Sequence, residues 1–365
     1  MQEVFMQKAL ELAKRGLGFT APNPCVGAVI IKNGKVIGEG WHKKAGQDHA
    51  EIVAIKSVKN KSEIVGADLY VTLEPCSHTG KTGPCAEAIV KAGFKNVYIG
   101  MKDPFEKVNG NGIKFLKKNE VVVEICKENS ELGREIRIIN QPFIKWAKTG
   151  IPYVTLKAGM TLDGKIATAG GESHWITSEL ARQDSKIERS FCDAVLVGSG
   201  TVKADDAELA PAAKFSSKKL LRVVLNSKLD LDLKRKVFRD ENVFVACSEL
   251  ASLKSREKYE KAGVEFKAFG KEKVDVVKLV RFLGARGVQS VFVEGGSKVH
   301  GLFFDENLVD KVLFYVAPKL FGGSDSISVI GGKGVKKIDS SLEFEELQVE
   351  VVGQDLKIKG FVNLY

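Results

Sequence analysis

Six cysteines in 365 residues are too few for a disulfide framework. Nine prolines and 36 glycines follow no fixed period, which excludes a collagen-like chain. No run approaches the ~18 consecutive apolar residues of a membrane-spanning helix. The first sixteen residues interrupt their apolar positions with Glu3 and Glu11, the pattern of an amphipathic helix rather than a secretory leader. Without an export signal the expected compartment is the cytoplasm. Thiols stay reduced there, so clustered cysteines read as metal or catalytic groups. Neither half opens with the G-x-G-x-x-G turn of a dinucleotide fold. No arginine-rich or aromatic stripe marks a nucleic-acid surface, and no internal repeat is visible.

What is present is ordinary globular composition, 44% hydrophobic and 28% charged, which excludes a mainly disordered chain. The net charge is +10, and the first 149 residues carry 23 Lys and Arg against 16 Asp and Glu. A basic balance suits a phosphorylated small molecule or a nucleic acid, and equally a solvated basic surface.

The length predicts two to three domains. A helix is expected over 2–15, and a hairpin over 26–41 turning at Asn33-Gly34. Asp48 is placed to cap a helix through about 58. Strands follow at 68–73 and 96–101, with Pro84 opening a helix between them. A polar, helix-like stretch spans 127–148. Thr149-Gly150-Ile151-Pro152 then breaks the pattern, so domains are expected over 1–148 and 149–365. The second half starts a new α/β alternation. Its strands are expected at 153–158, 194–197, 222–225, 243–247, 290–293 and 311–316, and its helices near 178–191, 274–285 and 297–304. Both halves read as layered α/β units.

The first constellation is His49-Ala50-Glu51 at a helix start, with Pro75-Cys76 after a strand and Pro84-Cys85 opening a helix. His49, Cys76 and Cys85 suit tetrahedral Zn²⁺ with the fourth position open to water, the catalytic rather than the structural arrangement. His78 as a fourth ligand would close the site. Glu51, two residues beyond the His, can move a proton from that water to a leaving amine. Zn²⁺ makes hydroxide accessible near neutral pH. The spacing resembles the H-x-E and P-C-x-x-C signature of zinc nucleobase deaminases. Here, however, eight residues separate the cysteines and bring His78, Lys81 and Thr82 beside the metal, as for an anionic substrate. Asn23, in the turn 21–27, can read a heterocycle or simply hold a turn. His42 is a site or surface histidine, and Cys25 a small buried hydrophobe.

The second constellation is two glycine turns after strands, at 198–201 and 294–297. Each is an ordinary tight turn or a phosphate cradle at a helix N-terminus. Glu294 can bind sugar hydroxyls or cap a helix. Trp175 fits a core aromatic or a cofactor contact, and Lys157 a surface or a site residue.

Segments 21–27, 49–51 and 75–85 resemble the deaminase half of the RibD family of bifunctional riboflavin-biosynthesis enzymes. Segments 156–167, 171–177, 193–202, 293–296 and 317–320 resemble its reductase half. The resemblance implies a cytidine-deaminase-like three-layer domain followed by a dihydrofolate-reductase-like domain. It implies zinc-dependent deamination of 2,5-diamino-6-(5-phosphoribosylamino)pyrimidin-4(3H)-one. NADPH reduction of the ribosyl group to ribityl would follow, giving 5-amino-6-(5-phosphoribitylamino)uracil. By matching positions, Asn23, His42, His78, Lys81, Thr82, Asp103 and Asn109 contact the deaminase substrate. Phe105-Glu106-Lys107 departs from the family's Asn-Pro continuation after Asp103-Pro104. Gly159, Trp175, Thr201, Asp205, Ser227, Gly296 and Ser297 contact NADPH, and Lys157, Ser173, Arg189, Leu209 and Glu294 the reductase substrate. Arg189 is a natural phosphate partner.

The family's usual phosphate-gripping Arg is Ala212 here. Losing one charge-assisted contact costs about 1.5–3 kcal/mol, and Lys214 stands two residues on as a replacement. A working deaminase with a weakened reductase is therefore the first alternative. An RNA-editing or RNA-binding deaminase-like protein is the second. The expected partner is a phosphorylated pyrimidine, with no nucleic acid and no membrane, in a homo-oligomer.

Overall fold

The computed structural model describes residues 1–77, 83–105 and 110–365. The chain divides into two compact units, Met1–Thr149 with Tyr365, and Gly150–Leu364.

The first unit runs α1 (Glu3–Lys14), β1 (Gly27–Lys32), β2 (Lys35–Trp41), α2 (Ala50–Ser57), β3 (Asp68–Leu73), α3 (Cys85–Ala92), β4 (Asn96–Met101), α4 (Asn111–Lys118), β5 (Val122–Ile125) and α5 (Glu131–Thr149). Its sheet has the order β2-β1-β3-β4-β5. β1 is antiparallel to β2 and β3, while β3, β4 and β5 are parallel. Asn33 and Gly34 both sit at positive φ, as a two-residue primed hairpin turn requires. Met6, Ala9, Leu10 and Ala13 of α1 share the buried stripe that a helical period predicts. α1 packs with α5, α2 with α3, and α3 with α4. A Cβ on Gly40 of β2 would lie 2.4 Å from the Ala54 amide nitrogen. Only glycine lets α2, which carries Glu51 and directly follows His49, lie this close to the sheet.

The second unit runs β6 (Tyr153–Thr161), β7 (Lys165–Ala167), α6 (Glu179–Ser190), β8 (Ala194–Gly198), α7 (Ser199–Asp205), β9 (Leu221–Leu225), β10 (Val243–Cys247), α8 (Leu253–Lys261), β11 (Glu265–Ala268), α9 (Val276–Ala285), β12 (Ser290–Val293), α10 (Ser297–Asp305), β13 (Lys311–Ala317), β14 (Ile327–Ser328), β15 (Glu346–Val352) and β16 (Asp355–Phe361). The main sheet has the order β11-β10-β9-β8-β12-β6-β13-β16-β15. From β11 to β13 every pairing is parallel; β16 pairs antiparallel with β13 and with β15. β8 and β10 are buried along their whole length, hence their unbroken apolar runs. Parallel pairing puts the C-terminal ends of β6, β8, β9, β10 and β12 on one edge, where open α/β sheets bind ligands.

A buried charge cluster ties α6 to the antiparallel strands. Lys357 Nζ lies 2.7 Å from both Asp184 and Glu188 carboxylates, with Lys311 and Lys359 also near Glu188. Burial pushes the Glu188 carboxyl up, and the lysines override it and hold it at about 2. A depressed carboxyl stabilises the fold above its unfolded value near 4.5 and loses that contribution as pH falls toward 2. Stability of the second unit is thus expected to drop between about pH 4.5 and 2. Glu188→Gln is expected to flatten that drop and to cost about 3 kcal/mol at neutral pH. Calorimetry of both proteins against pH checks this; unchanged acid profiles would contradict it.

Candidate active sites

In the first unit three backbone ends converge. His49 is the residue before α2, in extended backbone; Cys85 begins α3 immediately after the extended Pro84; Cys76 lies three residues beyond β3. Thus the helix-capping position belongs to His49 rather than Asp48, and Pro84 precedes α3 rather than starting it. His49 Nδ1 is 3.3 Å from Cys85 Sγ and 3.6 Å from Cys76 Sγ. All three donor atoms lie within 4.8 Å of one another. Zinc bonds of about 2.1 Å to nitrogen and 2.3 Å to sulfur need tetrahedral ligands about 3.5–3.8 Å apart. The residues therefore fit Zn²⁺.

The two thiols share a hydrogen bond. Donation from the Cys85 thiol, with help from His49 and against burial, holds the Cys76 thiol below its usual range. The Cys85 thiol is pushed up, first by its bond to Cys76 and then by burial. The Cys85 N–H also donates to Cys76 Sγ at 3.4 Å. Glu51, in the first turn of α2, is buried, which lifts its carboxyl to about 7.

His42 is buried with its ring edge-on to His49, centroids 5.4 Å apart. Its Nδ1 is 3.1 Å from the Asp48 carbonyl and its Nε2 is 3.0 Å from Asn23 Nδ2. The carbonyl can only accept, so Nδ1 carries the proton and Nε2 accepts from the Asn23 amide. Burial keeps this imidazole neutral by lowering its pKa. His42 is therefore not a surface residue, and Asn23 is held by a side chain rather than serving only a turn. Asp103 donates its backbone N–H to Glu74 and accepts that of Phe105. His78, Lys81, Thr82 and Asn109 lie outside the described residues. Cys25 is buried, as expected.

In the second unit Arg189, Glu294 and Lys157 come together. The Arg189 guanidinium donates to both Glu294 oxygens, at 3.2 and 3.1 Å, and to the Ala210 carbonyl. Nη1 and Nη2 are thus both partnered within the chain, while Nε is buried without a partner among the described residues. Lys157 is no surface residue: burial lowers its pKa against the attraction of Glu294. Gly159 lies under Thr177, and the Trp175 ring, 67% exposed at positive φ, stacks on Arg182 3.9 Å away. Trp175 is no core aromatic. Lys319 donates to the Trp175 carbonyl, and His174 faces Asp205 at 3.6 Å.

Thr201 and Asp205 lie on α7 after β8; Ser227 follows β9, its carbonyl accepting from the Ser248 amide and hydroxyl; Gly296 and Ser297 open α10 after β12. These positions all follow the C-terminal ends of β8, β9 and β12. Ser173 is exposed, and Leu209 is buried at positive φ beside the Ala210 that Arg189 holds. Ala212 donates its N–H to Ser190, and the exposed Lys214 rests its ammonium 5.1 Å from the Phe215 ring.

Sequence reasoning missed Glu74 and Arg182. A carboxylate closing the apolar strand 69–73 is a signal for Glu74, because a buried charge demands donors. Nothing in the sequence pairs Arg182 with Trp175.

Residues 152–358 match the family described as the RibD C-terminal domain, and residues 1–101 the cytidine and deoxycytidylate deaminase zinc-binding region. The chain is similar to the riboflavin biosynthesis protein RibD of Bacillus amyloliquefaciens, 39% identical over 98% of this chain and 95% of that one. The RibD of Escherichia coli is 36% identical over 97% of each chain. Among solved structures, RibD of Acinetobacter baumannii superposes with TM-score 0.85 at 36% identity, covering 98% of both chains. A Thermotoga maritima protein, described as a diaminohydroxyphosphoribosylaminopyrimidine deaminase/5-amino-6-(5-phosphoribosylamino)uracil reductase, superposes with TM-score 0.84 at 37% identity over 98% of both.

Proposed function

The chain belongs to the RibD family of riboflavin biosynthesis proteins, and on that premise we propose how its two units divide the work. The enzyme is bifunctional, a zinc-dependent deaminase and an NADPH-dependent reductase. Residues 1–148 carry the deaminase and 149–365 the reductase. The observation that carries the reading is the His49, Cys76 and Cys85 donor triangle with the buried Glu51 beside it.

His49, Cys76 and Cys85 would hold the zinc. When bound, Zn²⁺ supplies the Lewis acidity that makes water nucleophilic at neutral pH. Glu51 takes a proton from the attacking water and returns it to the departing amine. His42, fixed by the Asp48 carbonyl, holds the Asn23 amide so that its oxygen faces a substrate N–H group. Asp103, His78, Lys81, Thr82 and Asn109 complete the substrate contacts, the lysine meeting the phosphate.

In the reductase, bound NADPH would be the source of the hydride, and the proton that completes the reduction would come from solvent. Thr201, Asp205, Ser227, Gly296 and Ser297 would seat the cofactor, the free N–H groups at the start of α10 favouring an anionic group. Trp175 and Gly159 would contact the cofactor and help to exclude water. Lys157 and Glu294 bind sugar hydroxyls, Ser173 and Leu209 flank the substrate, and Arg189 orients Glu294.

The test uses zinc-quantified protein and the diaminopyrimidine ribosyl phosphate. Ammonia is expected without NADPH, and ribityl product with one NADPH oxidised per turnover once it is added. Ammonia without NADPH oxidation would overturn the reductase assignment and implicate Ala212. No reaction in zinc-loaded protein would overturn the substrate, and RNA would be the next one tested.

No helix among the described residues is long and apolar enough to cross a membrane, and a cytoplasmic enzyme is the reading adopted. A second copy of the chain is its partner. Leu347, Val349 and Val351 alternate along the edge strand β15, all more than half exposed, and pair with Gly360, Ile358 and Leu356 on the same face. Such an apolar face on a sheet edge suits a self-complementary interface. Light scattering is expected to find a dimer or larger in the wild type and a smaller species for Val351→Lys; a monomeric wild type would contradict this.

A further inference from the structure

The end of β3 carries a carboxylate that the zinc chemistry does not use. Glu74, two residues before Cys76, is only 2% exposed. No ion pair to it is recorded among the described residues. A buried carboxylate without a cation must be satisfied by N–H donors, and here four backbone groups supply them. Oε2 accepts from Asp103 at 3.2 Å and Gly110 at 3.0 Å; Oε1 accepts from Gly112 at 3.0 Å and Ile113 at 3.2 Å.

The last three donors belong to the start of α4. Gly110, the residue before that helix, has no side chain with which to cap it. The orphan N–H groups of the first turn are met instead by a carboxylate 36 or more residues upstream. The approach is close: a Cβ on Gly112 would lie 2.0 Å from the Pro75 carbonyl oxygen. The Glu74 amide also donates to the Met101 carbonyl at 2.9 Å, continuing the β3–β4 ladder past its ends. One side chain thus fastens Asp103 and the head of α4 to the three-residue stretch that delivers a zinc ligand.

We propose that Glu74 is a positioning residue for deamination, setting Asp103 at a fixed place relative to Cys76 so that the substrate meets both. This rests on the deaminase reading above. A plain helix cap would affect stability; a positioning residue affects substrate binding, and only through Asp103.

The experiment is a double-mutant cycle in the full-length, zinc-loaded enzyme, with Glu74→Gln, Asp103→Ala and the pair. Gln replaces an accepting oxygen with an NH₂ that opposes two backbone N–H groups. Glu74→Gln is expected to raise the deaminase KM by about tenfold or more, since sub-ångström misplacement is costly, with a smaller change in kcat. Zinc content and reductase activity on the deaminated substrate are expected to stay at wild-type values. With Asp103 already Ala, Glu74→Gln is expected to add little further.

Multiplicative effects, an Asp103→Ala variant with normal KM, or lower thermal stability at unchanged KM would each overturn the proposal. If Glu74→Gln does not fold, Gly112→Ala presses on the same contact with both oxygens retained, and the same non-additivity is expected. In the wild type the Gly110, Gly112 and Ile113 amides are expected to exchange slowly with solvent, and fast exchange would overturn the clamp itself. Wild-type ammonia release is measured first: its absence defeats the deaminase reading and this proposal with it, whereas release with an additive cycle defeats this proposal alone.

Discussion

Glu51→Gln is expected to lower deaminase kcat by about 10²–10⁴-fold, the usual worth of a positioned proton carrier, with zinc still bound. The replacement has nearly the same shape, and Gln can occupy the first turn of α2 without disturbing His49 two residues before it. What it cannot do is accept a proton and return it. Stability is expected to hold or rise, because the wild-type site buries a carboxylate that burial itself disfavours, and functional sites commonly carry such a cost. The measurements are metal analysis, thermal denaturation and ammonia release. The reductase, assayed on the deaminated substrate, serves as an internal control. Turnover within about tenfold of wild type at full zinc content would remove Glu51 from the proton transfer.

The donor set of that site was legible because each residue sits at an element end that the sequence marks locally. His49 starts a helix, Cys85 follows a proline, and Cys76 follows a strand. Buried strands were legible for a similar reason. β10 spans Val243–Cys247 and β12 Ser290–Val293, where unbroken apolar runs placed them. The failures were non-local. α4 went unpredicted because its cap is Glu74, far upstream, rather than a side chain at Gly110. β5 is an edge strand with Val122 and Glu124 exposed, and Glu124 cuts its apolar run to three valines, too short to mark a strand. α8 is mostly polar and buries only Tyr259, so its hydrophobic period is too weak to read. Arg189 was legible as a site residue, but its ion pair with Glu294, 105 residues away, was not.

That ion pair makes Arg189 the residue whose loss should harm the second unit most. Arg189→Met is expected to cost about 3 kcal/mol, because it takes both guanidinium bonds from the mostly buried Glu294 carboxylate and leaves only Lys157 near it. For a unit of this size that is about 6–12 °C in Tm. The two bonds to Glu294 orient a carboxylate at the C-terminal end of β12, and the bond to Ala210 secures the loop carrying Leu209. Reductase kcat/KM is therefore expected to fall by about 10²-fold or more, as misplacement of a site group does. Deaminase activity is expected to survive. Arg189→Lys keeps the charge but not the planar fork, and should rescue little. The double variant Arg189→Met/Glu294→Gln separates the two roles. With no stranded charge, it should recover much of the lost Tm while the reductase stays impaired. A double variant as unstable as Arg189→Met would show that the guanidinium acts chiefly by packing. A single variant with normal reductase kcat/KM would show that the fork orients nothing the reaction needs.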